Sequence, residues 1–303
     1  MLAIIIPYYK LAFFDATLHS LADQTDKRFK VYIGDDASEE NPAILLEKYE
    51  EKFEYEYTRF NNNLGRNSLV KHWERCMALV NNEEWLIILG DDDVLGENCI
   101  SDFYKNLDSI KKTSNVVRYA SCNIDGNGQK ISKVFQNPIV ENSIDFFFKE
   151  RRSSLSEYVF NKEKIFAVGL KNFPLAWCTD ILAVLEVSGF ENVYSINDSI
   201  VYIRISELSI SGNKMNKKLK TRASVDFLYY MIIKKGQYFD QFQKSKLADE
   251  MVRIFLNNKK NGRLFVKLSI YFFSNNLFRD YFNFIKSIFL NLQNQFKKSK
   301  YEF

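Results

Sequence analysis

Apolar and polar positions follow a regular rhythm through the first hundred residues. Leu2–Pro7 (L-A-I-I-I-P), Phe29–Ile33 and Trp85–Leu89 are short apolar runs, the pattern of strands buried on both faces of a sheet. Glu54–Phe60 alternates, as a strand with one polar face does. Amphipathic stretches lie between them: Phe13–Ala22, with Phe14, Leu18 and Leu21 on one side, then about Pro42–Lys52, then about Arg66–Val80. Strands near residues 2, 29, 54 and 85 separated by helices predict an α/β fold. Its central sheet is mostly parallel, Rossmann-like, flanked by helices and joined by right-handed crossovers. Such a sheet brings the carboxyl ends of its strands to one edge, where open α/β sheets bind ligands.

The rhythm loosens further on. Strands are expected at Asn115–Cys122 and Leu155–Phe160, with a hairpin turning at Asp125-Gly126 into Gln129–Phe135. Helices are expected at Ser143–Lys149, Asn161–Gly169 and Ile181–Gly189, and a closing strand at Ile200–Ser211. Trp177-Cys178-Thr179-Asp180 opens the last of those helices. After Gly212 the character changes. Phe278, Phe282, Ile285, Phe289, Leu292 and Phe296 step by four and three along one helical face, which Leu277, Tyr281, Phe284 and Ile288 widen. The chain thus reads as an α/β domain over 1–212, with halves 1–100 and 101–212, and a helical C-terminal extension over 213–303.

Charge sharpens that division. The net charge of +4 conceals 23 Lys/Arg against 32 Asp/Glu in residues 1–213, a net of −9, and 19 against 6 in 214–303, a net of +13. The two parts face different partners, or each other. Residues 264–303 hold 12 Phe/Tyr, and a basic amphipathic helix of this kind suits an anionic membrane surface. Packing on the acidic domain is the alternative, favoured for 214–260. The aromatics sit on the apolar face instead of being interleaved with the charges, which argues against nucleic acid.

Four cysteines lie far apart with no C-x-x-C, arguing against a disulfide framework and a zinc site. With only His19 and His72, a His-rich metal centre is excluded and a Ser-His-Asp triad disfavoured. The chain opens on a strand without a signal-peptide pattern, and no apolar run approaches the ~20 residues of a spanning helix. The expectation is a cytoplasmic protein whose membrane contact is peripheral.

The candidate chemistry gathers at strand ends. After Trp85–Leu89 comes Gly90, then Asp91, Asp92 and Asp93. Three adjacent carboxylates repel one another unless water or a cation compensates them, and hard divalent cations prefer carboxylate oxygen. A solvated acidic turn capping a following helix is the other reading. Two further strand ends carry Pro7-Tyr8-Tyr9 and Asp35-Asp36. Neither G-x-G-x-x-G nor a P-loop occurs, so the usual dinucleotide and P-loop sites are absent. Aromatics and acids without a glycine-rich cradle suit a nucleotide whose diphosphate charge is met by a metal.

Five pieces stand in order: I-I-I-P-Y-Y, S-L-A-D-Q-T, V-Y-I-G-D-D-A-S, N-N-L-G-R-N and I-I-L-G-D-D-D-V-L. Together they resemble the family 2 glycosyltransferases of the GT-A fold, densely over residues 2–100 and more thinly to 211. The resemblance implies a nucleotide-sugar-binding half (1–100) and an acceptor half (101–212). It implies that Tyr9 packs on the donor base, with Pro7 and Tyr8 beside it, and that Asp36 accepts a hydrogen bond from the base. Asn63 and Arg66 fall near base and diphosphate. Gly90 stands where the common D-A-D-D form has its first Asp. Asp92 then takes the principal metal position, Asp93 lies behind the metal and Asp91 towards the ribose.

Asp180 matches the general base of inverting members, with Thr179 in place of a Glu; Asp93 and Glu157 are next in line for that role. Arg204-Ile205-Ser206 stands where R-x-H is common, so no histidine ligand is available there. The implied enzyme is inverting and uses Mn²⁺ or Mg²⁺. Its donor is a nucleotide-diphosphate sugar, a UDP-sugar favoured, and its acceptor a saccharide or lipid-linked saccharide. Its setting is bacterial capsule, O-antigen or exopolysaccharide assembly, at the cytoplasmic face of the inner membrane. Two alternatives stand beside it: a nucleotidyltransferase, which would want a glycine- and lysine-rich loop near residue 10, and a non-catalytic nucleotide-sugar-binding protein of the same fold.

Overall fold

The apolar runs form strands because both faces of the sheet are covered. In the computed structural model, β1 (Leu2–Tyr8) turns Ile4 and Ile6 to one core, shared with Leu18 and Phe103. Ala3 and Ile5 face a second core with Val70, Ile165 and Val184. Residues 1–149, 152–257, 261–275 and 277–300 are described, excepting the side chains of 292–300.

Helix α1 (Phe14–Ala22) buries Phe14, Leu18 and Leu21, and β2 (Phe29–Asp35) runs parallel to β1. Helix α2 (Ala43–Glu47) is shorter than the expected Pro42–Lys52, with Tyr49 and Phe53 buried beyond its end. Strand β3 (Tyr55–Arg59) follows. Helix α3 (Leu69–Met77) starts later than expected because Ser68 caps it, its Oγ accepting from Lys71 N at 3.2 Å. Strand β4 (Trp85–Ile88) completes an all-parallel half ordered β3-β2-β1-β4.

The second half is mixed. Val94–Leu95 form a short strand, β5, and the helix that follows, α4, runs over Cys99–Thr113. Then come β6 (Val116–Ile124), β7 (Val140–Asn142), α5 (Ser143–Phe148), β8 (Tyr158–Asn161) and α6 (Lys162–Val168). Helix α7 (Thr179–Val187) precedes β9 (Asn192–Arg204). The sheet continues β4-β8-β6-β9-β5, with β7 on β9. Strand β8 lies antiparallel to both β4 and β6, while β6 and β9 are parallel.

Three local expectations are corrected. Gln129–Phe135 is no strand and touches β6 only through the bridges Ser121–Phe135 and Ile124–Lys130. Leu155–Glu157 is a 3-10 turn closed by a capping box from Ser154 to Glu157. Strand β9 begins already at Asn192 and stops at Arg204, because Arg204 is held by the acidic loop described below.

The chain divides into Met1–Lys217 and Lys218–Phe303. The second unit is helical: α8 (Lys217–Lys234), α9 (Gln241–Asn257), α10 (Gly262–Ser274) and α11 (Phe278–Lys300). Phe255, Phe265 and Phe284 join α9, α10 and α11, with ring centroids 5.5 to 5.8 Å apart. Asp226 on α8 pairs with Lys267 at 2.5 Å and Arg263 at 3.3 Å. No helix among the described residues is long and apolar enough to cross a membrane. The side chains of Leu292 and Phe296, part of the expected stripe, lie outside the described residues.

Candidate active site

Parallel register places the ends of β1, β2 and β4 side by side. Leu89 N still donates to Ile5 O at 2.8 Å, and the chain leaves the sheet at Gly90. The three carboxylates that follow take different tasks. Asp91 Oδ2 accepts from Tyr9 N at 2.8 Å and Lys10 N at 3.0 Å, fastening the end of β1. Asp93 is buried: Oδ1 accepts from Arg204 N at 2.8 Å and Oδ2 from Ser156 Oγ at 2.5 Å. Gly90 N donates to the same Ser156 hydroxyl at 3.0 Å, and Thr17 Oγ1 donates to Asp93 O at 2.8 Å. Arg204 adds a clamp, its Nε donating to Asp92 O at 2.9 Å and its Nη1 to Asp125 O at 2.7 Å, while its guanidinium lies 4.5 Å from the Phe13 ring.

Between two braced neighbours, the Asp92 carboxylate receives no side-chain hydrogen bond among the described residues. Burial, then the charges of Asp93 and Asp91, push its pKa up to about 8, against the pull of Arg204. Burial also raises Asp93 to about 6, opposed by its bonds from Ser156 and Arg204, and raises Asp91 despite the two N–H donors. Gly90 lets these carboxylates come close to the backbone: a Cβ there would meet Asp92 Oδ1 at 2.9 Å and Asp93 Oδ2 at 3.2 Å. Hard oxygen donors and a carboxylate held beside two others without a side-chain hydrogen bond fit a divalent cation of the Mg²⁺ or Mn²⁺ type. Such ions are commonly held by one or two carboxylates and completed by substrate phosphates. Among the described residues no group of three or more His, Cys, Asp or Glu is arranged as an all-protein cage.

A second cluster lies at the end of β2. Asp35 points into the protein, accepting from Ser38 N, Tyr57 OH and Arg59 Nη1. Asp36, also buried, fastens the loop that follows β3: Oδ1 accepts from Leu64 N and Oδ2 from Gly65 N, each at 2.8 Å. Arg75 Nη2 pairs with Asp36 Oδ1 and donates to Asn62 O at 3.0 Å, while Nη1 donates to Asn62 Oδ1 at 3.0 Å. Its guanidinium lies 3.9 Å from the Phe60 ring, and its Nε donates to His72 Nδ1 at 3.1 Å. His72 Nδ1 is 3.4 Å from Asp36 Oδ1. Burial drops the His72 pKa to about 4; Asp36 opposes that shift and Arg75 reinforces it.

Nearby, Tyr9 exposes 41% of its surface at the edge, whereas Tyr8, its neighbour in the strand alternation, is fully buried against Phe14 and donates to Glu40 O at 2.7 Å. Pro7 is half-buried in β1. Arg66 is exposed, and its N–H donates to Asn63 Oδ1 at 2.8 Å.

Asp180 stands in the first turn of α7. Burial raises its pKa, opposed by bonds from Ser153 and Ile181 N, while the Glu157 charge pushes the same way as burial. Ser153 and Glu157 belong to the same segment as Ser156, the residue bonded to Asp93. Glu157 itself is buried and paired with Arg152 at 2.9 Å. Of five non-glycine residues at positive φ among the described residues, Ala37 directly follows Asp36, Cys178 directly precedes Thr179-Asp180, and Leu175 and Ala176 lie just before it. Such strained backbone clusters at ligand sites.

The site uses residues that sequence reasoning passed over. His72 and Arg75 stand at i and i+3 on α3, one helical face, which was the available signal. Ser156 carried none. Arg204 was visible only as the remnant of R-x-H.

The fold and its acid-lined edge are those of a GT-A type glycosyltransferase. Residues 3–168 match the description "Glycosyl transferase family 2", and the chain belongs to that family. Over 289 residues it is 26% identical to an uncharacterized glycosyltransferase of Haemophilus influenzae, covering 83% of this chain and 93% of that one. Among solved structures it is similar to S. aureus TarS 1-349 in complex with UDP-GlcNAc, with a TM-score of 0.64, 15% identity, and coverage of 86% of this chain and 74% of that one. TarS 1-349 in complex with UDP aligns with a TM-score of 0.57 at 17% identity, over 86% and 73% of the two chains. This chain spans 43% of a longer TarS chain, at a TM-score of 0.60, 14% identity and 84% coverage of its own length. At these identities the structural likeness speaks for the fold.

Proposed function

We propose that the protein transfers a sugar from a nucleotide-diphosphate sugar to an acceptor hydroxyl by a single, inverting displacement. The observation that carries this reading is the Asp92 carboxylate, without a side-chain hydrogen bond among the described residues, between two braced acids at the edge where Tyr9 is exposed. Asp92, with Asp93 behind it, would hold a divalent ion, which supplies charge neutralisation for the leaving diphosphate.

The base would lie on Tyr9 and the loop carrying Asn63 and Arg66. Asp36 Oδ2 accepts one hydrogen bond within the protein, leaving a lone-pair site for a base N–H. Asp91 holds the Tyr9–Lys10 backbone in place on the ribose side. Asp180, its pKa raised by burial, would take the acceptor proton as the glycosidic bond forms. The TarS complexes hold UDP-GlcNAc and UDP, so a UDP-sugar is the first donor to test. The acceptor would be a saccharide or lipid-linked saccharide in bacterial surface-polysaccharide assembly, at the cytoplasmic face of the inner membrane.

The test incubates the protein with a panel of nucleotide-diphosphate sugars and Mn²⁺, follows released nucleotide, and assigns the anomeric configuration of the product by NMR. Nucleoside diphosphate release with inversion supports the reading. Release of pyrophosphate would make the protein a nucleotidyltransferase, and donor binding with no turnover on any acceptor would make it a binding protein.

A further inference from the structure

Helix α11 is apolar on two sides. One side packs within its own unit: Phe284 is buried, with its ring 5.5 to 5.8 Å from those of Phe255, Phe265 and Phe272. The other side carries Phe278, Phe282 and Phe289, exposed by 58, 69 and 63%. At 3.6 residues per turn these three fall within about 40° of arc. Helix α10 shows the same division, with Leu264 and Leu268 buried while Val266, Ile270 and Phe273 are exposed. Phe273 and Phe278 meet at 5.9 Å, so the two exposed faces form one continuous patch. A patch of large side chains left bare by its own unit marks an interaction surface.

The charge around it identifies the partner. Arg279 and Lys286, both exposed, lie on one flank of the phenylalanine stripe, while Arg263 on α10 is paired with Asp226. Helix α10 contains no acid, and Asp280, the single acid of α11, lies nearly opposite the stripe. An apolar ridge with Arg279 and Lys286 beside it and the acid of α11 turned away complements an anionic bilayer surface, where rings enter the acyl boundary and cations meet phosphates.

We infer that α10 and α11 form a membrane-docking face that seats Val266, Ile270, Phe273, Phe278, Phe282 and Phe289 in an anionic lipid surface. This deepens the proposed placement of the enzyme at a membrane, and vesicle binding is read without turnover, so either claim can fail alone.

The experiment is sedimentation of the full chain with vesicles of phosphatidylglycerol and phosphatidylcholine, compared with phosphatidylcholine alone. The paired variant Phe282→Ser, Phe289→Ser alters two exposed rings, and circular dichroism checks its folding. The expected result is binding to the anionic vesicles only, falling about 10²-fold in the serine variant. A second variant, Arg279→Gln with Lys286→Gln, is expected to lose about 10-fold and part of its salt dependence. Equal binding of wild type and both variants would overturn the inference. So would wild-type self-association, read by sedimentation equilibrium, that the serine variant abolishes while vesicle binding is unchanged; the face would then join two copies. So would absence of wild-type vesicle binding.

Discussion

Arg75→Met tests whether Asp36 is an anchored carboxylate or a free one. Arg75 makes an ion pair with Asp36, two hydrogen bonds to Asn62, one to His72, and a stacking contact with Phe60. Removing one partner of a buried pair costs about 3–5 kcal/mol. Two features reduce that figure here: Asp36 keeps the N–H groups of Leu64 and Gly65, and the Arg75 side chain is 17% exposed. The lost stacking adds about 0.5–1 kcal/mol. The expected loss is about 2–4 kcal/mol in urea unfolding at pH 7, with weaker nucleotide binding because the loop from Asn61 to Asn67 is no longer tied down.

Arg75→Lys is expected to recover about half, since an ammonium can reach Asp36 but cannot fork to Asn62. The variant also carries a pH signature. His72 titrates at about 4 when folded, below its ordinary 6.5, so wild-type stability falls as pH drops through that interval. Arg75 is one cause of the depression, so Arg75→Met raises the folded value and flattens the fall. Stability within about 0.5 kcal/mol of wild type, with unchanged nucleotide affinity and the same acid slope, would refute the reasoning.

Two further outcomes follow from the acids. Asp92 titrates at about 8 when folded and near 3.8 unfolded, so its contribution to stability is present below pH 4 and is lost as pH rises through 8. Between about pH 7.5 and 8.5, above the range of His72 and Asp93, metal-free wild type should therefore lose stability relative to Asp92→Asn in urea titrations; parallel slopes would contradict this. Asp180→Asn is expected to keep donor affinity while kcat falls about 10²–10⁴-fold in single-turnover assays, and turnover within a few-fold of wild type would move the base elsewhere.

Strands β1, β2 and β4 were legible because they are buried on both faces and so read as apolar runs, and β3 because its residues alternate. The meeting of Tyr9, Asp36 and the Asp91–Asp93 loop at one edge followed from parallel register alone. What stayed hidden depended on contacts distant in sequence. Strand β5 is two residues long and exists because β9 pairs with it, so no local pattern could announce it. The turn at Leu155–Glu157 passed for strand because L-S-E-Y alternates, while its capping box needs the Ser154 and Glu157 side chains to meet. The distinct tasks of Asp91, Asp92 and Asp93 depend on Tyr9, Ser156 and Arg204, which arrive from three separate elements. Arg66, singled out by its place in a motif, is exposed, whereas Arg75, on the inner face of α3, is the arginine that reaches Asp36.

The most direct test is calorimetric titration of UDP into the wild type and Asp92→Asn, each with and without Mn²⁺ at pH 7.5. The expected result is wild-type binding that strengthens by at least about 10-fold when Mn²⁺ is present, which is ~1.4 kcal/mol, and no such gain in Asp92→Asn. Equal Mn²⁺ enhancement in the two proteins, or none in either, would contradict the assignment of the acidic edge as a metal-assisted diphosphate site.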